Sequence, residues 1–342
     1  MKSVPTVQAL GLILCHDITE IVPGEQKRAA FKKGHVVREE DIPLFLRLGK
    51  ENIFVWSDVP DGQAHEDEAA LRLARIACGL NLSFGEPSEG RIDLRSEIRG
   101  LLTVKRDLLE AVNDIPLLTV VTAHGNREVK PGQIVAGTRA IPLCVPEEAL
   151  LGAEKLCLDS GPILNVLPLA PHLVGVVTTG SEVYHGRVQD GFTPVLRRKF
   201  ASWGSSIHCH ALVPDEPSAT AAAIREALKQ GATLVAVTGG MSVDPDDKTP
   251  TAIREVCGEV VTYGVPAMPG AMFMLGYVRD IAILGLPGCV MYERRASIFD
   301  LVAPRLLAGQ RLTRRDFTAL AHGGLCAQCP ECSFPDCSFG CA

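Results

Sequence analysis

Five of the chain's twelve cysteines crowd into its last seventeen residues: Cys326, Cys329, Cys332, Cys337 and Cys341, spaced C-x2-C-x2-C-x4-C-x3-C. Gaps of two residues let successive thiolates turn toward one centre. Pro330, Pro335 and Gly340 keep the backbone between them out of helix and sheet. Four thiolates suit either a tetrahedral Zn²⁺ or an iron–sulfur cluster, so the spacing predicts a metal centre and leaves the metal open. Redox thiols or disulfides are the other chemistries such a run permits. Cys341 is spare under either metal reading. His322, four residues before Cys326, could join the set, although four cysteines suffice.

A second group of candidates lies in three loops. These are Thr178-Thr179-Gly180-Ser181-Glu182, then Thr238-Gly239-Gly240-Met241-Ser242 running on to Asp244, Asp246, Asp247, Thr249 and Pro250, and finally Gly285-Leu286-Pro287-Gly288. Each follows a short apolar run. Glycine at a strand end lets backbone approach a ligand, and free N–H groups at a helix start suit an anion. One Gly-Gly pair alone reads as a plain turn. Three such loops, two of them with carboxylates, point instead to a phosphate or pterin site. G-x-G-x-x-G and G-x-x-x-x-G-K-[ST] do not occur, so neither a dinucleotide fingerprint nor a P-loop is indicated.

Carboxylates in such a site could orient the ligand, hold a divalent ion such as Mg²⁺, or move a proton. Asp247 is the first catalytic candidate. Its structural alternative is a cap for the helix from Thr251, a role Thr249 already fills. Glu182 is weighed against a solvated loop charge, as are Asp244 and Asp246. Asp215 is weighed against capping the helix entered through Pro217. Ser242 could donate to a phosphate oxygen and Arg294 or Arg295 could balance its charge, with a solvent-facing helix surface as the plainer reading of the arginines. His208 and His210 flank Cys209 on an expected strand, where alternation puts them on one face. Without a third ligand they read as a packed or hydrogen-bonded pair.

The elements that must position these residues show most clearly between 173 and 310. Leu173 to Thr178 is too continuously apolar for a one-sided sheet and reads as a central parallel strand. A helix from Pro194 to Trp203 capped by Thr193, a strand Ile207 to Val213, a helix Ser218 to Gln230 and a strand Leu234 to Val237 continue the alternation. Ile281 to Leu284 is a later strand, and Met291 to Leu307 a closing helix that Pro304 must kink or shorten. Ligands bind beyond the carboxyl ends of such strands, where the three loops fall. Upstream, Leu10 to Leu14 and Ile53 to Trp56 read as strands. Ile42 to Leu48 reads as a short helix capped by Asp41 with Pro43 in its first turn, and Asp67 to Cys78 as a helix stopped by Gly79. Arg91 to Lys105, Leu117 to Ala123 and Gln133 to Leu143 are β-type runs, broken at His124-Gly125-Asn126 and Pro131-Gly132.

The 342 residues suffice for two or three domains, and 46% hydrophobic with 22% charged residues fits an ordinary globular chain. A net charge of −6 argues against nucleic acid or an anionic membrane as partner, so an anionic ligand needs local donors. No apolar stretch is long enough to span a bilayer. The run Val7 to Cys15 imitates a signal core, but it lacks a cleavage motif and is followed by Asp17 and Glu20, so a buried strand is expected. Twelve cysteines without a secretory signal imply a cytoplasmic chain whose thiols are free or bind metal.

The three loops, in this order, carry a resemblance. Thr238-Gly239-Gly240 through Asp247-Lys248-Thr249-Pro250 resembles the T-G-G…D-x-T-P loop of the molybdenum-cofactor biosynthesis fold, and Gly285-Leu286-Pro287-Gly288 its G-L-P-G loop. Thr179-Gly180-Ser181-Glu182-Val183 is similar to its T-G-D-E-L loop, and Pro269-Gly270 to the P-G of another. Leu10 to Ile21 and Phe31-Lys32-Lys33-Gly34-His35-Val36-Val37 resemble opening segments of the molybdopterin molybdotransferases. Departures are Ser181 for the usual Asp, Cys289-Val290 for Asn-Pro and Ala271 for Lys. About thirty residues with the cysteine cluster stand where that branch carries a terminal β-barrel domain. The resemblance implies an α/β fold: a three-layer doubly wound molybdopterin-binding domain at 171–312. The residues themselves suggest an α+β region at 1–170 before it, with a small β subdomain at about 90–150 and Pro168 to Pro171 as the boundary, and the cysteine-rich tail at 313–342 after it.

The implied substrate is molybdopterin or its adenylylated form, with molybdate or tungstate inserted into it. Thr179, Gly180, Ser181, Thr238, Gly239, Gly240, Ser242, Thr249, Pro287 and Gly288 would line the site, with Asp247, Glu182 and Asp215 as its carboxylates. A homodimer is implied, as is a molybdoenzyme or another cofactor-assembly protein as partner. The alternative is a non-catalytic carrier or sensor that docks to a molybdoenzyme through its cysteine cluster. A third class, nicotinamide-nucleotide processing by the related competence-damage proteins, places this fold at the start of the chain and not at its end.

Overall fold

The strand Leu173–Thr179 (β1) buries six of its seven residues because it has a parallel neighbour on either side. The computed structural model describes residues 1–20, 28–57, 59–245, 247–292 and 295–341. Contacts divide the chain into two units: 1–97, 104–123 and 132–165 form the first, and 98–103, 124–131 and 166–342 the second.

In the second unit β1 belongs to a six-stranded sheet with Ser206–Val213 (β2), Leu234–Thr238 (β3), Glu259–Tyr263 (β4), Met274–Val278 (β5) and Ile281–Leu286 (β6). The spatial order is β2-β1-β3-β6-β5-β4; β1, β2, β3 and β6 are parallel and β5 antiparallel to its neighbours. Successive residues of a strand face opposite sides. Leu234 and Ala236 of β3 join Val174 and Val176 in one core, while Val235 and Val237 join Val177 in another. The first core is closed by helices Phe192–Ser202 (α1) and Ile298–Leu307 (α4), through Leu196, Phe200, Phe299 and Val302. The second is closed by Pro217–Lys229 (α2) and Thr249–Val256 (α3), through Ile224, Ala227 and Ile253. The result is a three-layer α/β arrangement in which the chain leaves β1 first for β2 and then for β3, so the order reverses between β1 and β3.

The first unit is α+β. A four-stranded antiparallel sheet of Leu82–Phe84, Arg91–Ser96, Ile134–Ala140 and Leu118–Thr122 is accompanied by helices Glu66–Ala77, Arg106–Asn113 and Glu147–Ser160. Arg72 joins two of these helices, reaching Glu154 at 2.7 Å and Glu147 at 2.5 Å. The β-rich stretch of the sequence is divided. Residues 100–102 pair with 127–129 and count with the second unit, while the strands before, between and after them remain in the first.

Several local expectations need correction. Leu10 to Leu14 and the longer run Val7 to Cys15 form no strand. A 3₁₀ turn at Thr6–Gln8 and a bend at Gly11 (φ +79°) leave only isolated bridges at Ile13 and Leu14. Asp41 does not cap Ile42–Arg47; its carboxylate turns back to the Arg38 N–H (2.8 Å). Asp190, not Thr193, caps α1, accepting from the N–H groups of Phe192 (2.8 Å) and Thr193 (3.2 Å). The closing helix starts at Ile298 and not Met291, because Ser297 and Asp300 form a capping box there. His208 and His210 do not share a face. β2 shifts register against β1 between Ile207 and Cys209, so His208 is an extra residue and alternation is broken. His208 reaches the Gln230 carbonyl after α2 (2.9 Å), and His210 reaches Thr193 on α1 (3.0 Å). Ile21 lies outside the described residues. No described helix is long and apolar enough to cross a membrane.

Phe200 is fully buried, with its ring 5.4 Å from that of Phe299. Phe200→Ala is therefore expected to destabilise the second unit by about 3–5 kcal/mol. A urea titration followed by far-UV circular dichroism, with no shift of the second unit's transition, would contradict the packing described.

Candidate functional site

The reversal of strand order between β1 and β3 opens a crevice beyond their carboxyl ends, the place where doubly wound sheets bind ligands. A cavity of about 790 Å³ occupies it. Its walls come from Thr179 to Val183 after β1, Pro214 to Glu216 after β2, and Gly239, Gly240, Asp244 and Asp247 after β3, with His185, Arg187 and Phe192 completing it.

The loops after β1 and β3 interlock. Gly239 (φ +85°) runs so close to Thr179 that a Cβ would collide with the Thr179 carbonyl oxygen. At Gly240 (φ +56°) a Cβ would lie 2.7 Å from Thr249 Oγ1. Thr249 is buried, and its hydroxyl donates to the Gly239 carbonyl (2.9 Å), so it pins the start of α3 to the glycine pair and does not cap the helix. Asp247 closes the loop: its carboxylate accepts from the Asp244 N–H (2.9 Å), and its own N–H donates to the Asp244 carbonyl (2.9 Å). Asp215 does not cap α2, which shows no side-chain cap. Its carboxylate accepts the Ser181 N–H (2.7 Å), fixing the first loop from β2. Glu182 crosses close over Gly180, where a Cβ would lie 2.8 Å from its Oε1.

The structure thus brings together Thr179, Gly180, Ser181, Glu182, Asp215, Gly239, Gly240 and Asp247 around one cavity, with Thr249 beneath it. Other expected residues stand apart. Thr238 is fully buried and donates to the Thr178 hydroxyl (3.3 Å). Ser242, Pro287 and Gly288 are not among the cavity's walls. Asp246 and Arg294 lie outside the described residues. Arg295 lines a different cavity, of about 60 Å³, together with Cys326, Cys329, Cys332 and Cys337. Cys341 and His322 do not line it. Among the described residues, no three His, Cys, Asp or Glu side chains are grouped as one metal ion would group them.

Arg187, His185 and Glu216 were missed in the sequence. Arg187 follows Gly180 by seven positions in the loop leaving β1, and that loop, not the last helix, was the place to seek a cation. Among the described residues, five carboxylates (Glu182, Asp215, Glu216, Asp244 and Asp247) share the cavity's walls with this one guanidinium. An anionic ligand here therefore needs backbone donors or an added divalent cation.

Behind the crevice a polar chain runs from Thr238 through Thr178 to Asp190, which also pairs with His210 (3.2 Å). Burial pushes the Asp190 carboxyl up, but Thr193, the Phe192 N–H and His210 outweigh it and hold the group below its usual range. Burial lowers the His210 imidazole, with Asp190 pulling it up and Arg197 pushing it further down.

Residues 175–308 match a family model described as "Probable molybdopterin binding domain", and residues 3–57 match one described only as a domain of unknown function. The molybdopterin molybdenumtransferase of Haemophilus influenzae is 30% identical over 312 residues, covering 80% of this chain and 74% of that protein. That of Synechococcus elongatus is 24% identical over 199 residues, covering 53% of this chain; the chain spans 47% of that relative's length. Among solved structures, the molybdopterin biosynthesis enzyme MoaB from Thermus thermophilus aligns with 41% of this chain and 98% of its own, at 26% identity and a TM-score of 0.35.

Asp190→Ala removes the cap of α1 and should cost about 1 kcal/mol at neutral pH. A carboxyl held low in the folded state contributes stability above its ordinary range and loses it as pH falls through the folded value. The gap between wild type and variant should therefore close in acid. Urea midpoints compared at neutral and acidic pH check this, and a gap independent of pH would remove the carboxylate's charge from the account.

Proposed function

Because the chain belongs to the molybdopterin-binding family of molybdenum-cofactor biosynthesis, we propose that the crevice between β1 and β3 binds molybdopterin, or its adenylylated form, as a substrate for insertion of molybdate or tungstate. The observation that carries this reading is the interlocked glycine loop: Gly239 and Gly240 expose backbone at the wall of a cavity of ligand size, about 790 Å³. Gly180, Gly239 and Gly240 allow the backbone approach, and Arg187 supplies the cation for a phosphate. Asp215 holds the first loop in place through Ser181. Asp247 and Glu182 stand where a proton on a transferred oxyanion could be accepted or donated. The surplus of carboxylates fits a divalent ion such as Mg²⁺, which would neutralise charge between them and a bound phosphate. A second copy of the chain and a molybdoenzyme or other cofactor-assembly protein are the partners this reading implies.

A second reading, a carrier or sensor of finished cofactor, is favoured by one feature. Position 181, in the cavity wall, carries a serine hydroxyl where the resembled loop carries the Asp carboxylate. Restoring molybdoenzyme activity to a strain lacking its transferase would exclude a pure carrier.

Gly239→Ala should abolish pterin binding, because its methyl group would displace the loop from Thr179. Calorimetric titration of anaerobic protein with molybdopterin reads this directly, and wild-type affinity in the variant would move the site elsewhere. Asp247→Asn keeps an oxygen for the Asp244 N–H but removes the charge. Metal insertion should fall on the order of 10²-fold, with pterin affinity less affected. An unchanged rate would take Asp247 out of the chemistry.

A further inference from the structure

The tail cysteines stand apart from the crevice, and their surroundings carry an assignment of their own. We propose that Cys326, Cys329, Cys332 and Cys337 hold an iron–sulfur cluster, with Arg127 as the buried cation that balances it. The assignment does not rest on pterin binding.

Both ends of the thiol loop are anchored in the second unit. At one end the Cys326 N–H donates to the Met268 carbonyl (2.8 Å), and the Met268 N–H to the Gly324 carbonyl (2.8 Å). At the other, Phe339 is buried in the core of the six-stranded sheet, Gly340 packs against Leu301, and its N–H donates to the Gly323 carbonyl (2.7 Å). Between these anchors the four cysteines line one cavity of about 60 Å³, several times the roughly 10–15 Å³ that a single water needs. Tetrahedral zinc requires its sulfurs about 2.3 Å from one point. Among the described residues no three donors are gathered in that way. Thiols arranged around a space suit a cluster, in which each thiolate can bind a different iron.

Charge points the same way. Arg127 is only 7% exposed, and among the described residues its partners are two carbonyls, a sulfur and an aromatic ring, with no carboxylate. One nitrogen, Nη2, donates to the carbonyls of Cys337 (3.3 Å) and Phe339 and to Cys341 Sγ (3.1 Å), while Nε and Nη1 have no partner among the described residues. The guanidinium lies over the Phe334 ring at 4.8 Å. A buried cation without an anion is costly, and four thiolates with iron and sulfide supply net negative charge beside it. Arg295, in the cavity wall, adds a second cation. On transfer of a preformed cluster from a thiolate-bearing carrier, four bonds between iron and the carrier's thiolates break as four to Cys326, Cys329, Cys332 and Cys337 form; the four protons these thiols shed pass to the released carrier thiolates, and no electron changes hands.

The full chain, purified anaerobically, is assayed for iron, acid-labile sulfide and zinc, with visible absorbance and electron paramagnetic resonance after reduction. Equal amounts of iron and sulfide are expected. Cys329→Ala and Cys332→Ala alter exposed positions that the fold tolerates, and should lose them. Cys341→Ala should retain them, since that thiol serves Arg127 and the Cys337 carbonyl. Arg127→Lys should keep the iron and shift the reduction potential, because a compact ammonium cannot hold the Cys337 and Phe339 carbonyls as the guanidinium does and so places the buried charge differently beside the loop. Zinc without sulfide, or no metal with all tail thiols titratable, would overturn the assignment. A potential unmoved in Arg127→Lys would overturn the role given to Arg127. Pterin titration of the same preparation reports separately on the crevice.

Discussion

The close approach of Gly239 to the Thr179 carbonyl is the constraint on which the crevice depends. β1 and β3 are adjacent, with Thr178 paired to Thr238, so the chains leaving them must separate at once or fill the crevice themselves. Glycine at two successive positive-φ positions lets the second loop turn away within the width of one backbone. Thr249 then ties that turn to the start of α3. The carboxylates inherit their places from this junction. Asp247 hangs on the loop that the glycines begin, and Asp215 fixes the other loop from the opposite side of β1.

Much of this was legible because the relevant signals are local. A buried parallel strand has no polar face, so Leu173–Thr179 and Leu234–Thr238 announce themselves as apolar runs, and glycines at their ends mark where backbone must turn. The βαβ alternation follows from those runs, and the resemblance implied the three layers. Signals made by partners distant in sequence were not legible. A bulge at His208 depends on β1 and cannot be seen in β2 alone, so the two histidines were put on one face. Thr193 is a plausible cap by type, yet Asp190, three residues earlier, takes the role because its carboxylate also meets Thr178 and His210 from neighbouring strands. Thr238 and Ser242 were read as ligand contacts from their place in a motif. The first has its hydroxyl spent inside the sheet, and the second is exposed and not among the cavity's walls. Arg127 gave no signal at all, since its partners lie 210 to 214 residues further along the chain.

The crevice and the tail solve opposite electrostatic problems. Around the crevice five carboxylates stand in an open cavity, where water can solvate them and surface screening keeps their mutual repulsion small. Such a site can wait for a cation or a ligand without strain on the fold. Arg127 has no such freedom. It is enclosed by Phe334, Phe339 and the tail backbone, away from the water that solvates the crevice carboxylates. Carbonyl oxygens and one sulfur satisfy part of it and leave two nitrogens bare. A fold that buries a guanidinium under a loop of thiols would gain from negative charge there, which the proposed cluster would supply. On that proposal the second unit's core and its cysteine loop would act together: the core that buries Phe339 also holds its carbonyl against Arg127, and so fixes the cation beside the loop.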